Sequence, residues 1–303
     1  MIHTRRHPLA TALRVSLIVL VGGYGGLAAT EMRGVEPTKV KDIYAQDNLV
    51  AWCIVPFDAS KRGPEERAKM LKKLGLTKLA YDWRQEHVPT FESEILAMEK
   101  QGIDFFAFWS PMSQSPGYES MMGLIEKHGI QPQIWMIPPA APAPSQEERV
   151  AINAKATLPY VNRAKELGCK FALYNHGGWA GEPDNLVAMT KWLRANAGAD
   201  HVGIVYNFHH GHEHLAQFPA AFERMVPYLH CVNLNGMTHG GPKILALGQG
   251  KEDLGILKMI RDCGYEGPIG ILDHRGGVDA EESLRENLDG LKGLLKKKNG
   301  VRS

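Results

Sequence analysis

The sequence predicts an α/β protein of the (β/α)8 TIM-barrel class, built on eight parallel strands. Three observations carry that prediction. From Asn48 onward short apolar runs alternate with helical patterns, and five of the helical segments end in Gly just before the next run. The runs are nearly continuous in apolar character, as strands buried on both faces require. Eight such strand–helix units fill roughly 250 residues, the usual size of this barrel.

The elements follow in order. NLVAWCIVPF (48–57) opens the set, and KKLG closes the next helix before LTKLAYDW (76–83). EKQG precedes IDFFAFW (103–109), and EKHG precedes IQPQIWMI (130–137). KELG leads into CKFALYN (169–175), and HVGIVYNF (201–208) follows the helix LVAMTKWLRANAG. LHCVNLNGM (229–237) follows FPAAFERMVPYL, and RDCG leads into YEGPIGIL (265–272) before the closing helix. Gly75, Gly102, Gly129, Gly168 and Gly264 stand where a helix takes a left-handed C-terminal cap.

The 303 residues are 44% hydrophobic and 22% charged, with 35 basic and 33 acidic side chains mixed along the chain. The only basic run, Lys296–Lys298, suits a helix end, so no phosphate-tracking surface and no nucleic-acid partner are expected. Four scattered cysteines form neither a disulfide framework nor a zinc knuckle, and those near strands read as small buried hydrophobes. Residues 1–29 read as a signal peptide. A basic MIHTRRHPLATALR precedes the uncharged VSLIVLVGGYGGLAA, and Leu27-Ala28-Ala29 offers a cleavage site. Thr4–Leu9 is also similar to a twin-arginine signal, although Pro8 replaces the usual apolar residue. The expectation is export to the periplasm or exterior, with no membrane span left after cleavage. Residues 30–47 are then a lead-in and 48–303 one barrel domain.

In this barrel class the chemistry sits at the C-terminal strand ends. Here those ends carry Asp82-Trp83-Arg84-Gln85-Glu86-His87, Trp109, Trp135, Tyr174-Asn175-His176-Gly177-Gly178-Trp179, Asn207, Asn233 with Asn235, and Asp273-His274-Arg275. After Asn207 comes HHGHEH, with four histidines in six residues. His209 and His210 stand nearest the strand end, while His212 and His214 read as loop toward the next helix. His176 competes with plain turn chemistry, since Asn-His-Gly-Gly makes a turn unaided. Arg84, Glu86 and His87 form an ionisable patch suited to anchoring a polar substrate or donating a proton. The tryptophans, with Asn and His donors, suit the apolar faces and hydroxyls of a sugar. Only Arg84 and Arg275 are evident anion clamps, which disfavours a phosphorylated ligand.

Residues 48–298 resemble the xylose isomerase-like TIM barrels, a superfamily of sugar isomerases, ketose epimerases, inosose dehydratases and abasic-site endonucleases. ALYNHGG is similar to its fifth-strand LENHGG, VGIVYNFHH to its sixth-strand D-x-x-H end, and YEGPIGILDHRGGVDAEESLRENLDGLKGLL to its closing strand and helix. The resemblance implies one divalent metal held by Glu, Asp, His and Glu from strands five to eight. The first three slots fall on Tyr174, Asn207 and Asn233, and the last on Leu272 or Asp273, so most anionic ligands are missing. A neutral set of His176, His210 and His274, with Asn207 or Asp273 nearby, would suit Mn, Zn, Ni, Co or Fe.

The resulting expectation is an exported enzyme acting on a small carbohydrate, keto-sugar or glycoside derivative. It would be an isomerase or epimerase, or a dehydratase or lyase, working by proton abstraction with metal or His assistance. His210, His176, His274, His87 and Glu86 are the candidate catalytic groups. Arg84, Trp109, Trp135, Asn175, Trp179, Asn233, Asn235 and Arg275 are the candidate substrate contacts. A carbohydrate-binding barrel with a decayed metal site is the alternative, and a metal-dependent phosphoesterase fits less well. The sequence sets no oligomeric state.

Overall fold

A computed structural model describes residues 42–110 and 113–300, with side chains through residue 297. The signal-peptide region and the lead-in up to residue 41 lie outside the described residues. Eight parallel strands close into a barrel in sequence order: β1 (Leu49–Trp52), β2 (Lys78–Tyr81), β3 (Asp104–Ser110), β4 (Gln133–Met136), β5 (Phe171–Tyr174), β6 (Val202–Asn207), β7 (Leu229–Leu234) and β8 (Ile269–Leu272). β8 pairs back onto β1, with Leu49 beside Ile269 and Trp52 beside Leu272.

The helices among the described residues are α1 (Pro64–Lys73), α2 (Phe91–Gln101), α3 (Pro116–His128), α4 (Gln146–Glu166), a single turn α5 (Gly178–Gly181), α6 (Pro183–Ala197), α7 (Phe218–Met225), α8 (Asp253–Asp262) and α9 (Ala280–Gly300). All five glycines expected to end helices have positive φ, from 60° at Gly129 to 76° at Gly264. That backbone costs an L side chain about 1–2 kcal/mol, which is why Gly recurs there.

Side chains alternate inward and outward along each strand. The inward set is Val50, Trp52, Ala80, Ala107, Trp135, Ala172, Tyr174, Val205, Cys231 and Leu272. Large and small side chains face one another across this interior. Trp52 and Trp135 meet edge-on with ring centroids 5.0 Å apart, and the three alanines leave the space they occupy. The outward set packs with the helices into a second, larger core.

Two stretches depart from the sequence expectation. β1 stops at Trp52, because Cys53 has φ 63°, a left-handed backbone that turns the chain out of the sheet. Ile54 and Val55 then bury on the helix side. The lead-in also joins the domain sooner than residue 48. Ile43 and Tyr44 are buried, the Tyr44 hydroxyl donates to Leu257 O at 2.7 Å, and the Asn48 amide donates to Ile43 O and Gly267 O. The thiols of Cys53, Cys169 and Cys231 are buried, Cys263 is half-buried, and all four are free.

Candidate active site

The C-terminal strand ends enclose a shallow pocket of about 60 Å³, so a bound ring would rise out of the mouth. Trp52 and Tyr174 form its floor and Trp109 part of its wall. Cys53, Asp82, Arg84, His176, His210 and His274 complete its lining. β1, β2, β3, β5, β8 and the loop after β6 each contribute, so this site exists only once the barrel closes.

The imidazoles form a contiguous row. The ring centroids of His176 and His210 are 4.3 Å apart, His210 and His209 4.6 Å, and His209 and His274 4.9 Å. Phe57 covers His274 at 4.0 Å. Burial, reinforced by the neighbouring rings, lowers the pKa of His210 to about 3 and, with Arg84 adding its charge, that of His274 to about 4. His176 and His209 are lowered too, chiefly by burial. All four are therefore neutral near pH 7, each with one ring nitrogen able to accept a proton or a hydrogen bond. Of the other two histidines in the run, His212 meets Thr238 O at 3.0 Å and His214 pairs with Glu182 at 3.1 Å. Those contacts tie down the loop.

Across the ends of β5 and β6 lies a closed polar network. The Asn207 amide donates to the Tyr174 hydroxyl at 2.7 Å, and its backbone N–H donates to Asn175 Oδ1 at 2.7 Å. Asn175 Nδ2 returns a bond to Asn207 O at 3.0 Å, and Asn207 Oδ1 accepts the His209 N–H at 3.1 Å.

The opposite side is less satisfied. Asp82 is only 2% exposed; its Oδ1 accepts the Val55 N–H at 3.3 Å, and its Oδ2 has no hydrogen-bond partner among the described residues. Burial raises its pKa to about 6 against the opposing pull of Arg84. The Cys53 thiol lies against this carboxylate, and its Sγ is 3.9 Å from His274 Nδ1. Burial first and then Asp82 push the thiol pKa far up, so the sulfur stays protonated. Arg84 is exposed and makes no ion pair among the described residues. Its guanidinium lies over Phe57 and Trp109, 5.8 and 5.7 Å from the ring centroids.

Comparison with solved structures places this architecture. The zinc-bound IolI protein matches with TM-score 0.61 at 13% identity, covering 82% of this chain and 98% of that one. The 3-keto-D-glucoside 4-epimerase YcjR of E. coli matches with TM-score 0.57 at 14% identity, covering 82% and 99%. A probable 3-DHS dehydratase, AsbF of Bacillus anthracis, matches with TM-score 0.57 at 12% identity, covering 80% and 98%. In fold, the chain resembles the xylose isomerase-like TIM barrels. No family model and no curated protein sequence matches it.

Zinc in one xylose isomerase-like neighbour makes the metal-ligand positions worth testing against this geometry. They do not fit an ion as arranged. Among the described residues no three His, Cys, Asp or Glu side chains converge as a metal-holding group. Tyr174 and Asn207 spend their polar atoms on each other. Asn233 packs inside the barrel, where Gly270 makes room: a Cβ there would lie 1.9 Å from Asn233 Oδ1. Asp273 turns away from the pocket lining and accepts the Ser283 hydroxyl at 2.5 Å. The metal set His176, His210, His274, Asn207 and Asp273 is thus brought only partly together, as a row of three imidazoles without the two oxygen ligands.

The other predicted residues divide similarly. Arg84 and Trp109 line the pocket, and Asn175 supports it from behind. Trp135 is fully buried beneath the floor, with Nε1 donating to Gln133 at 2.9 Å. Trp179 sits outside the lining, bonded to Gln146 and covered by the Arg149 guanidinium 4.4 Å from its ring. Asn235 anchors the following loop through Gly236 O and Lys243 O. Arg275 pairs with Glu286 and Ser283 of α9. Glu86 and His87 lie in the 3-10 turn Gln85–Thr90 and face a neighbouring cleft beside Arg62 and Arg67, while His87 Nδ1 accepts the Arg84 N–H at 2.8 Å. The sequence reading left Cys53 and Asp82 out of the site. Each directly follows the last residue of its strand, Trp52 of β1 and Tyr81 of β2; the sequence placed Asp82 at a strand end, whereas Cys53 lies inside the apolar run 48–57.

Proposed function

We propose that this barrel binds a neutral sugar, keto-sugar or glycoside derivative and labilises a proton next to its carbonyl carbon. Returning the proton gives isomerisation or epimerisation, and expelling a neighbouring oxygen substituent gives a lyase or dehydratase. The observation that carries the reading is the pairing, in one pocket, of aromatic faces with an unpaired cation. Trp109, half-buried in the wall, offers a flat surface to the apolar face of a ring, with the buried Trp52 as floor, and Arg84 offers a guanidinium where negative charge would develop on a carbonyl oxygen. The neutral imidazoles supply acceptors for hydroxyls. The fold neighbours named for a keto-glucoside epimerase and a dehydratase support the same chemistry at the level of reaction class. No step is routed through a metal.

The test is deuterium wash-in. The protein is incubated in D2O with methyl 3-keto-β-D-glucopyranoside or D-fructose, and proton NMR follows loss of the signal beside the carbonyl. Exchange on either probe supports the reading, and its absence on both, at enzyme concentrations near those of the probe, removes it. Binding without exchange would favour a carbohydrate-binding barrel, a reading to which the self-satisfied Tyr174–Asn207 pair gives some weight. Export through residues 1–29 belongs to the same proposal. N-terminal sequencing of protein recovered from the native cell envelope tests it, with cleavage after Ala29 expected and an intact Met1 contradicting it.

A further inference from the structure

Two buried carboxylates near the barrel mouth each keep one oxygen without a hydrogen-bond partner among the described residues: Asp82 and Asp273. A buried, incompletely satisfied carboxylate is costly, so each calls for a reason. Asp273 has one outside the pocket, as the joint between β8, Ser283 and the Arg275 backbone. Asp82 has no such joint. Its neighbours are a strand-end N–H, a thiol and, through that thiol, an imidazole, and it is the carboxylate among the pocket-lining residues.

The backbone around it supports a local task. Cys53 holds φ 63° without being Gly, a conformation that persists only where surroundings impose it and that clusters at functional sites. The conformation sets the thiol between Asp82 and His274 Nδ1. The thiol lies beside the carboxylate, the sulfur faces the imidazole, and Oδ2 is left over.

We propose that Asp82 is the general base of this pocket and that Cys53 positions it. This assignment rests on the sugar reading above. A substrate seated against Trp109 presents a C–H next to its carbonyl to Asp82 Oδ2. The C–H bond breaks and the proton moves to the carboxylate. Its electron pair forms a carbon–carbon double bond, and the carbonyl π pair moves onto oxygen as an enolate facing Arg84. Return of a proton from Asp82, after exchange with solvent, regenerates the carbonyl.

The experiment compares wild type, Asp82→Asn, Asp82→Glu and Cys53→Ala, measuring exchange by NMR and probe affinity by calorimetry with methyl 3-keto-β-D-glucopyranoside. The expected result for Asp82→Asn is exchange reduced about 100-fold or more, with affinity changed less than about threefold. Asp82→Glu should recover part of the loss, and Cys53→Ala should lower the rate while keeping affinity. Asp82→Asn exchanging at the wild-type rate overturns the assignment and leaves the sugar reading standing. Wild type without exchange removes both. Should Asp82→Asn fail to fold, wild type is treated with conduritol B epoxide, whose ring a carboxylate opens to an ester as the alkoxide takes a proton from water. An ester mapped to Asp82 by mass spectrometry supports the proposal, and an ester on another carboxylate, or none, overturns it.

Discussion

The two sides of the barrel mouth each bring three polar side chains to the strand ends and leave them in opposite states. On the β5–β6 side, Tyr174, Asn175 and Asn207 exchange hydrogen bonds of 2.7–3.0 Å until little capacity is left for a ligand. On the β1–β2 side, Cys53 is held in a left-handed backbone, Asp82 keeps an unused oxygen, and Arg84 has a charge without an ion-pair partner among the described residues. A protein removes such costs where it can, because each is a sizeable share of a net stability of only about 5–15 kcal/mol. The side that keeps them is the side with work to do.

Substitutions can break that contrast or sharpen it. After Asp82, the largest effect is expected at Arg84. Arg84→Met should cut deuterium exchange about 100-fold, as loss of one donor to a developing oxyanion typically does, and NMR exchange rates would read it. Tyr174→Phe tests the quiet side. It orphans Asn207 Nδ2 inside the barrel and should cost about 1–3 kcal/mol of stability in urea, with exchange falling less than about threefold. A drop as large as that of Arg84→Met would erase the distinction between the two sides.

The next test is a gain. Tyr174→Glu with Asn207→Asp restores two anionic ligands beside His210, and elemental analysis should then find zinc or manganese in the variant at a higher ratio than in wild type. Equal, stoichiometric metal in both would mean that the imidazole row suffices.

A pH-dependent effect on stability comes from the same carboxylate as the proposed base. Folded Asp82 keeps its proton up to about pH 6, whereas the unfolded group releases it near 3.8. The fold therefore binds the extra proton across that window, and stability is lost as pH rises through it. Asp82→Asn should be more stable than wild type above pH 6, by the order of 2–3 kcal/mol, and should lose that advantage below about pH 4. Paired urea titrations at pH 7.5 and 4 would measure it. The smallest effect belongs to Trp179→Phe, which loses the bond to Gln146 and should cost about 1 kcal/mol without changing exchange.

The barrel was legible because its punctuation is local. A glycine with positive φ after a helix is a rule about one residue and its own backbone, and Gly75, Gly102, Gly129, Gly168 and Gly264 all obey it. The mouth was legible only in part, because what matters there is parity. A strand apolar on both faces gives no alternation from which to tell inside from outside, and a shift of one residue reverses the face. Hence His274 and Asp273, adjacent in sequence, end in the pocket and behind it respectively. Trp135 had the right direction but lies one layer too deep, under Trp52. The row formed by His176, His210, His209 and His274 joins residues up to 98 apart in numbering, and only closure of the barrel brings them together.

The thiols carry a further consequence. Burial raises the pKa of Cys53, Cys169 and Cys231, and that of Cys263 is raised as well. Nucleophilic attack on an oxidant or a disulfide needs the thiolate, so these sulfurs are poor targets for oxidation while the barrel stays folded. The fold takes no cross-link from them either. An oxidant should therefore reach the buried sulfurs of Cys53, Cys169 and Cys231 chiefly through the unfolded chain.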